Sequence, residues 1–333
     1  MIVADFRNYK NYIRCFFDEK KCIIFARANN DHIIMKHLDI ISIVAGVFLL
    51  FAVQYVAGGF PVTFFSFPLN IILVVLWLLA LWVLYKDYRQ TRFCRFLLSL
   101  RTTVITFVMF ILLCLIIGLV PQHSAMMPVG EGGTFWERLG IHEMTTSWPF
   151  LFILLLLQSH LAMITFRGIR NRKGIRWRFL TSHLGLWLAL LGGFWGSADT
   201  QMYRVPVYKE QPGRMAYAAD GRVHYLDYEL ELRRFEVDYY DNGMPRTYQA
   251  DVAVDGQEVI LKVNEPHSIR FGEDLYLTGY DMHAGDEIRY CVLQVVKQPW
   301  KYVQLTGIIM MLLSAVALFI KGPIKRGKDD QLG

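Results

Sequence analysis

Residues 178–197 read RFLTSHLGLWLALLGGFWGS, an apolar run long enough to cross a bilayer as a helix. Inside it stands one ionisable side chain, His183, a turn or so from the basic end. Gly185, Gly192 and Gly193 leave gaps through which another helix, or a flat cofactor, can approach the backbone closely. An imidazole in hydrocarbon needs a partner, because its unpaired nitrogens would cost on the order of a few kcal/mol. Two readings meet that need: a hydrogen bond to a Ser, a Thr or a backbone carbonyl on a neighbouring helix, or a bond to a haem iron.

Working outward, 54% of the 333 residues are hydrophobic and only 19% are charged, which points to a membrane rather than to two soluble domains. Six apolar runs have spanning length: Ile40 to Ala57, Leu69 to Leu84, Thr103 to Val120, Pro149 to Phe166, Phe179 to Gly196 and Val303 to Ile320. Lys and Arg test this assignment. The N-terminal segment holds seven, Tyr85 to Thr102 five, Arg167 to Arg178 six and the tail after Ile320 four, whereas Gly58 to Pro68 holds none and Pro121 to Trp148 one. That alternation follows the positive-inside pattern only if all six runs span. The expected protein is therefore an α-helical integral membrane protein of six transmembrane helices in the cytoplasmic membrane, with both termini cytoplasmic. A small all-β extracytoplasmic, or periplasmic, domain is inserted before the last helix.

The domain reading is a cytoplasmic amphipathic lead-in over 1–37, a transmembrane hairpin over 38–86, a core over 93–197 with an outside loop at 121–148, the β-rich domain over 198–302, and a final helix with a basic tail over 303–333. The net charge of +6 does not point to nucleic acid. The outside segment from Ala198 to Tyr302 has 12 basic and 18 acidic residues, so the basic excess sits in short cytoplasmic segments and reports topology. Five cysteines, at 15, 22, 94, 114 and 291, include no C-x-x-C pair, which argues against a disulfide framework, a thiol redox centre, a Cys-rich zinc site or covalent haem attachment to this chain. No cleavable signal peptide is expected, since the first apolar run begins near residue 40 without a small-residue cleavage site.

The fourth run carries Gln158, Ser159 and His160. At 1.5 Å per residue His160 lies about 9 Å from the cytoplasmic end of its run and His183 about 6 Å from the start of the next, so the two share a depth. Consecutive helices on a short loop are normally neighbours, which makes a His160 and His183 pair around one iron a candidate; a hydrogen-bonded cluster with Gln158 or Ser182 is the competing reading. His123 and His142, in the loop GEGGTFWERLGIHEMTTSWPF and just before it, read as solvated residues. After Ala198, HYLDYELELRRFEVDYY and QADVAVDGQEVILKV alternate with a period near two, the second around an Asp-Gly turn at 255 and 256, and LYLTGYDM and YCVLQVVKQPW supply further strands. A small antiparallel sandwich or barrel is expected, with His224, His267 and His283 too scattered to form a metal set. There is no phosphate-cradling Gly loop, no H-E-x-x-H, no G-x-S-x-G and no acidic intramembrane cluster, which sets aside kinase, hydrolase and pump readings.

Several motifs occur together in one order. They are Phe96 to Thr103 (FLLSLRTT), Ile117-Gly118 with Pro121-Gln122, and Leu139-Gly140-Ile141 with Ser147-Trp148-Pro149-Phe150. Then come His183-Leu184-Gly185 with Gly192-Gly193, Val263-Asn264-Glu265-Pro266, Tyr276 with Gly279-Tyr280, and Val292 to Lys297 with Pro299-Trp300. Over roughly residues 93 to 320 this resembles the ResB family of System II cytochrome c biogenesis proteins. The N-terminal hairpin is additional to that pattern, the outside domain is short for it, and the Trp-rich haem-presenting motif of the CcsA-type (ResC-type) partner is absent.

The resemblance implies an accessory subunit, not catalytic alone, of a cytochrome c haem lyase or synthetase complex. Such a complex carries non-covalent haem b across the membrane to apocytochrome c, where a C-x-x-C-H segment receives it through thioether bonds. His183 matches the position that would be an axial ligand, with the second expected from the CcsA-type membrane protein. The rival expectation is a non-enzymatic membrane scaffold or assembly protein without haem, in which His183 only packs and the β-domain binds a partner.

Overall fold

The computed structural model describes residues 19–122, 134–170, 177–281 and 288–321, with side chains between residues 38 and 320. Eight helices and eight strands follow from its hydrogen bonding. Helix α1 runs Glu19–Ala57, α2 Leu69–Asp87, α3 Arg92–Leu98 and α4 Leu100–Leu119. A single turn α5, Phe135–Arg138, precedes α6, Trp148–Ile169, and α7, Trp177–Trp195; after the strands comes α8, Lys301–Lys321. Three of the starts are marked by side-chain caps. Thr91 accepts the Cys94 N–H to open α3, Thr134 and Glu137 form a capping box on α5, and Ser147 caps α6 one residue before the Trp148-Pro149 start.

Leu38–Ala57, Leu69–Asp87, Leu100–Leu119, Phe135–Ile169 (through its α6 part) and Lys301–Ile320 are long and apolar enough to cross a membrane. The helix on which the sequence reading turned, α7, reaches 19 residues but is less apolar than these five, because Arg178, Thr181, Ser182, His183 and the glycines dilute its leucines. It packs along the length of α8. The amphipathic lead-in expected over 1–37 falls partly outside the described residues; from Glu19 onward the backbone continues unbroken into the first span as one helix of 39 residues. Helix α6 lies at the centre of the bundle, with Ile153, Leu157, Leu161 and Met163 buried against α1 to α4 and α7.

All eight strands form one antiparallel sheet. They are β1 Gln201–Tyr208, β2 Gly213–Ala218, β3 Val223–Tyr239, β4 Pro245–Val254, β5 Gln257–Lys262, β6 His267–Arg270, β7 Glu273–Tyr280 and β8 Tyr290–Lys297, in the order β5-β4-β3-β2-β1-β8-β7-β6. The Asp-Gly turn is where the alternation placed it: Asp255 and Gly256 take φ of 47° and 82°, and Val254 pairs with Gln257 across a two-residue hairpin. On β3, Leu226, Tyr228, Leu230 and Leu232 point inward while Asp227 and Glu229 point out. The sheet curls, so that Val263 after β5 bridges to Leu277 on β7 and one core contains residues of every strand except β6. Cys291 is part of that core, and burial pushes its thiol up to about 12, the condition of a packed side chain rather than a reactive one.

Strands β1 and β8 are neighbours from Gln201↔Lys297 to Tyr208↔Tyr290, and each joins a helix at its membrane end. Asp199, in the turn between α7 and β1, accepts from the Phe67 N–H, the Asn70 amide and the Trp300 indole, each at 2.7 Å. The Asn70 amide also donates to the Trp195 carbonyl at 3.0 Å. One carboxylate thereby ties the N-terminal hairpin, the end of α7 and the start of α8. Above it, Lys301 meets both oxygens of Asp274 at 2.6 Å, and the Tyr228 hydroxyl donates to Glu273 at 2.6 Å. Burial and the Glu273 carboxylate both raise the Tyr228 hydroxyl above its ordinary range, which keeps it a donor.

Candidate functional site

The gaps beside the glycines of α7 are filled by a helix, not left for a ligand. A Cβ on Gly185 would stand 2.8 Å from the Gly307 carbonyl oxygen and one on Gly192 would stand 2.8 Å from the Gln304 backbone nitrogen, both in α8. The two helices touch at backbone distance, as small residues permit. His183, two positions from Gly185, is about 200° round the helix from that seam. The flat-cofactor groove between the glycines is therefore closed, and the imidazole looks away from it.

His183 is half-buried near the N-terminal end of α7. Its Nδ1 lies 2.9 Å from the carbonyl oxygen of Phe179, one turn back, and 3.2 Å from the Ser182 hydroxyl, while its ring lies 4.0 Å from the Phe179 ring. A carbonyl only accepts, so Nδ1 carries a proton, and in that tautomer of imidazole the lone pair is on Nε2. That nitrogen has no hydrogen-bond partner among the described residues. A ring fixed through Nδ1 to a backbone carbonyl with Nε2 open is the arrangement of a metal-binding histidine supported from behind. The hydrogen-bond reading of His183 expected a partner on a neighbouring helix; the partners are instead Phe179 and Ser182 of α7 itself.

His160 is placed differently. It is completely buried; its Nδ1 donates to the Leu97 carbonyl at 2.8 Å, its Nε2 lies 3.3 Å from the Thr106 hydroxyl, and its ring is 5.8 Å from that of Phe96. With Nδ1 the donor, Nε2 accepts from Thr106, and neither nitrogen is left for iron. His160 ties α6 to α3 and α4. The cluster reading for it holds in kind, with Leu97 and Thr106 as partners in place of Gln158 or Ser182.

Gln158 instead reaches the Leu190 carbonyl at 3.4 Å, and its Oε1 is buried without a partner. The Trp187 and Trp195 indole N–H groups are likewise buried and unpaired, and both rings face Trp77 of α2, at 6.4 and 6.3 Å. Sequence reasoning passed over these residues. The signal was there in part: Trp187 stands one turn from His183, and Gln158 is a mid-span amide. Of the remaining histidines, His142 Nδ1 sits 3.0 Å from the Pro121 carbonyl, His224 lies against Tyr203 at 4.9 Å, His267 is exposed on β6, and His123 and His283 lie outside the described residues. Among the described residues no group of three or more His, Cys, Asp or Glu side chains converges on a point. An iron site here would draw on one imidazole of this chain.

Apolar helices of spanning length, a curled antiparallel sheet held at their ends and a half-open imidazole within the bundle define an integral membrane protein with a membrane-apposed β-domain. Residues 165–291, from the end of α6 through α7 and the sheet to the start of β8, match the model of the ResB-like family. The match contains His183 and its Phe179 support, and leaves out His160 and both helices of the N-terminal hairpin. No curated protein matches the chain. Among solved structures, a cytochrome c heme lyase, CcmF, aligns over 72% of this chain and 42% of its own length at 11% identity and a TM-score of 0.33. The chain thus spans less than half of that structure.

Proposed function

We propose that this chain is a membrane subunit of cytochrome c biogenesis that binds haem through His183 Nε2 on its way across the membrane. The ResB-like match supports the biogenesis role, and the single observation that carries the haem reading is the imidazole whose Nδ1 is held by the Phe179 carbonyl while Nε2 stays open. A neutral imidazole is the form that ligates iron, and the apolar side chains of α7 offer surface to the porphyrin face. The second axial ligand comes from a CcsA-type membrane protein, and attachment to apocytochrome c takes place on that assembly. In this reading α7 spans as the fifth of six helices, both termini are cytoplasmic, and the sheet lies outside.

Two measurements test it. Reporter fusions after Gly59, Gly130 and Gly243 are expected to report outside, and those after Arg89, Arg172 and Lys325 inside; a cytoplasmic signal at Gly243 overturns the topology and with it the delivery route. The chain purified in mild detergent together with a CcsA-type protein is expected to show a Soret band of bis-imidazole character. Preparations with and without that protein that both lack haem leave a scaffold that handles none.

A further inference from the structure

We propose that a cavity of about 350 Å3 in the part of the sheet remote from the helices binds a small phosphate-bearing anion. The cavity lies where β2 has left β3. The last β2 partner on β3 is Leu230, opposite Gly213; two positions on, Lys209 at the end of β1 stands beside Leu232, with the Glu210 N–H 3.4 Å from the Leu232 carbonyl. Lys209 in turn donates its N–H to the Arg289 carbonyl at 2.9 Å, so β3 and the far ends of β1 and β8 meet around one opening. The helix end of β1, where Gln201 pairs with Lys297, is seven residues or about 23 Å away along the strand, which separates the cavity from lipid headgroups.

Four cations, Lys209, Arg233, Arg234 and Arg289, line this cavity, and no carboxylate does so among the described residues. The segment from Ala198 to Tyr302 has 18 acidic against 12 basic residues, so the cluster runs against the charge of its own domain. A bulge in β3 places two of the four. Leu232 pairs with Val252 and Arg234 with Asp251, which leaves Arg233 as an extra residue on the β3 side of the ladder. A regular strand sends successive side chains to opposite faces, whereas a bulge re-aims one of them, and here two successive arginines line one cavity. Buried Leu232 and half-buried Phe235 supply its apolar part. Arg233 pairs with Glu231 at 3.0 Å and Arg234 with Glu236, but both pairs join positions two apart on one strand, and the arginines are 47% and 69% exposed. Such pairs contribute little, and each guanidinium keeps further N–H groups for another acceptor. The Lys209 ammonium has no partner among the described residues. Cations arriving from three strands exceed what one planar carboxylate engages. A phosphate ester brings about −1.5 to −2 charge and three acceptor oxygens, to which the fork of arginine is matched.

The test titrates the full chain, purified in mild detergent, with inorganic pyrophosphate and separately with succinate, by calorimetry at one fixed ionic strength. Pyrophosphate is expected to bind one to one with a Kd below about 0.1 mM, and about tenfold or more tighter than succinate. Replacing two exposed cations together, Lys209→Gln with Arg234→Gln, is expected to weaken pyrophosphate about 100-fold, roughly tenfold for each charge-assisted hydrogen bond lost. Arg222→Gln, at the β2–β3 turn outside the cavity, is expected to leave the affinity unchanged. A melting temperature equal to the parent's shows that the double variant folds. Should it fall, Lys209→Gln alone carries the test, with an expected loss of about tenfold. No saturable binding, succinate bound as tightly as pyrophosphate, or an affinity that survives loss of these cations overturns the proposal.

Discussion

Replacing His183 by Ala is expected to remove most haem from the assembled complex and to stop cytochrome c maturation, while the chain still accumulates in the membrane. The side chain is half-buried, bonds only to its own helix and lies on the face away from the glycine seam, so its loss leaves the α7 contact with α8 intact. Loss of one supporting hydrogen bond to a ligand weakens metal sites roughly 10- to 100-fold, and loss of the ligand itself exceeds that. Added imidazole can occupy the space left beside Phe179 and restore part of the Soret absorbance. His160→Ala supplies the contrast. It breaks the bonds to Leu97 and Thr106 in the closed core and is expected to lower the melting temperature, with haem loss only in proportion to lost protein. Full Soret absorbance and normal maturation in the His183→Ala complex would show that the histidine only packs.

Gly307→Leu is expected to be the most damaging single change outside the site. A Cβ at that position would meet the Gly185 carbonyl oxygen at 2.5 Å and press on the Ala189 backbone nitrogen, and helix backbone cannot step aside as a side chain can. Overpacking among side chains costs about 1 to 3 kcal/mol. Here the helices must part, and the buried face of α7 separates from α8 along with the Asp199 and Asp274 ties above it. The measurement is membrane abundance with melting in detergent, against Leu313→Ala on the lipid-facing side of α8 as control, where little change is expected. A Gly307→Leu chain that accumulates and melts as the parent does would mean that α7 and α8 do not meet at backbone distance.

Much of this architecture is legible along the chain because it is written in short periods. The apolar runs, the two-residue alternation of β3 and the Asp255-Gly256 turn each depend on neighbours within a few residues, and each corresponds to an element of the structure. The glycines of α7 announced a close approach without naming what approached, because Gly307 is over a hundred positions away and bears no local mark. For the same reason Asp199 reads as an ordinary turn residue, although it meets Phe67 from 132 positions off, and the partners of His160 come from 54 and 63 positions away. For His183 the fixing contact is local, a carbonyl one turn back. The span count is the weakest inference from composition, since the polar residues that make α7 interesting are those that dilute its hydropathy.

The neighbouring positions of β1 and β8 have a mechanical consequence. Both covalent attachments of the sheet leave from the adjacent strands β1 and β8 and pass into α7 and α8, which are joined along the glycine seam, so the whole domain stands on one two-legged stalk. Strand β3, of 17 residues, is up to about 55 Å long. At that length a tilt of the stalk by about 5° would carry the far end of a stiff sheet some 5 Å sideways, roughly the spacing of one strand from the next. The sheet is thus a lever with its fulcrum at Asp199 and its short arm in the helix that bears His183, and a small change of angle around that histidine is magnified at the far end of the sheet.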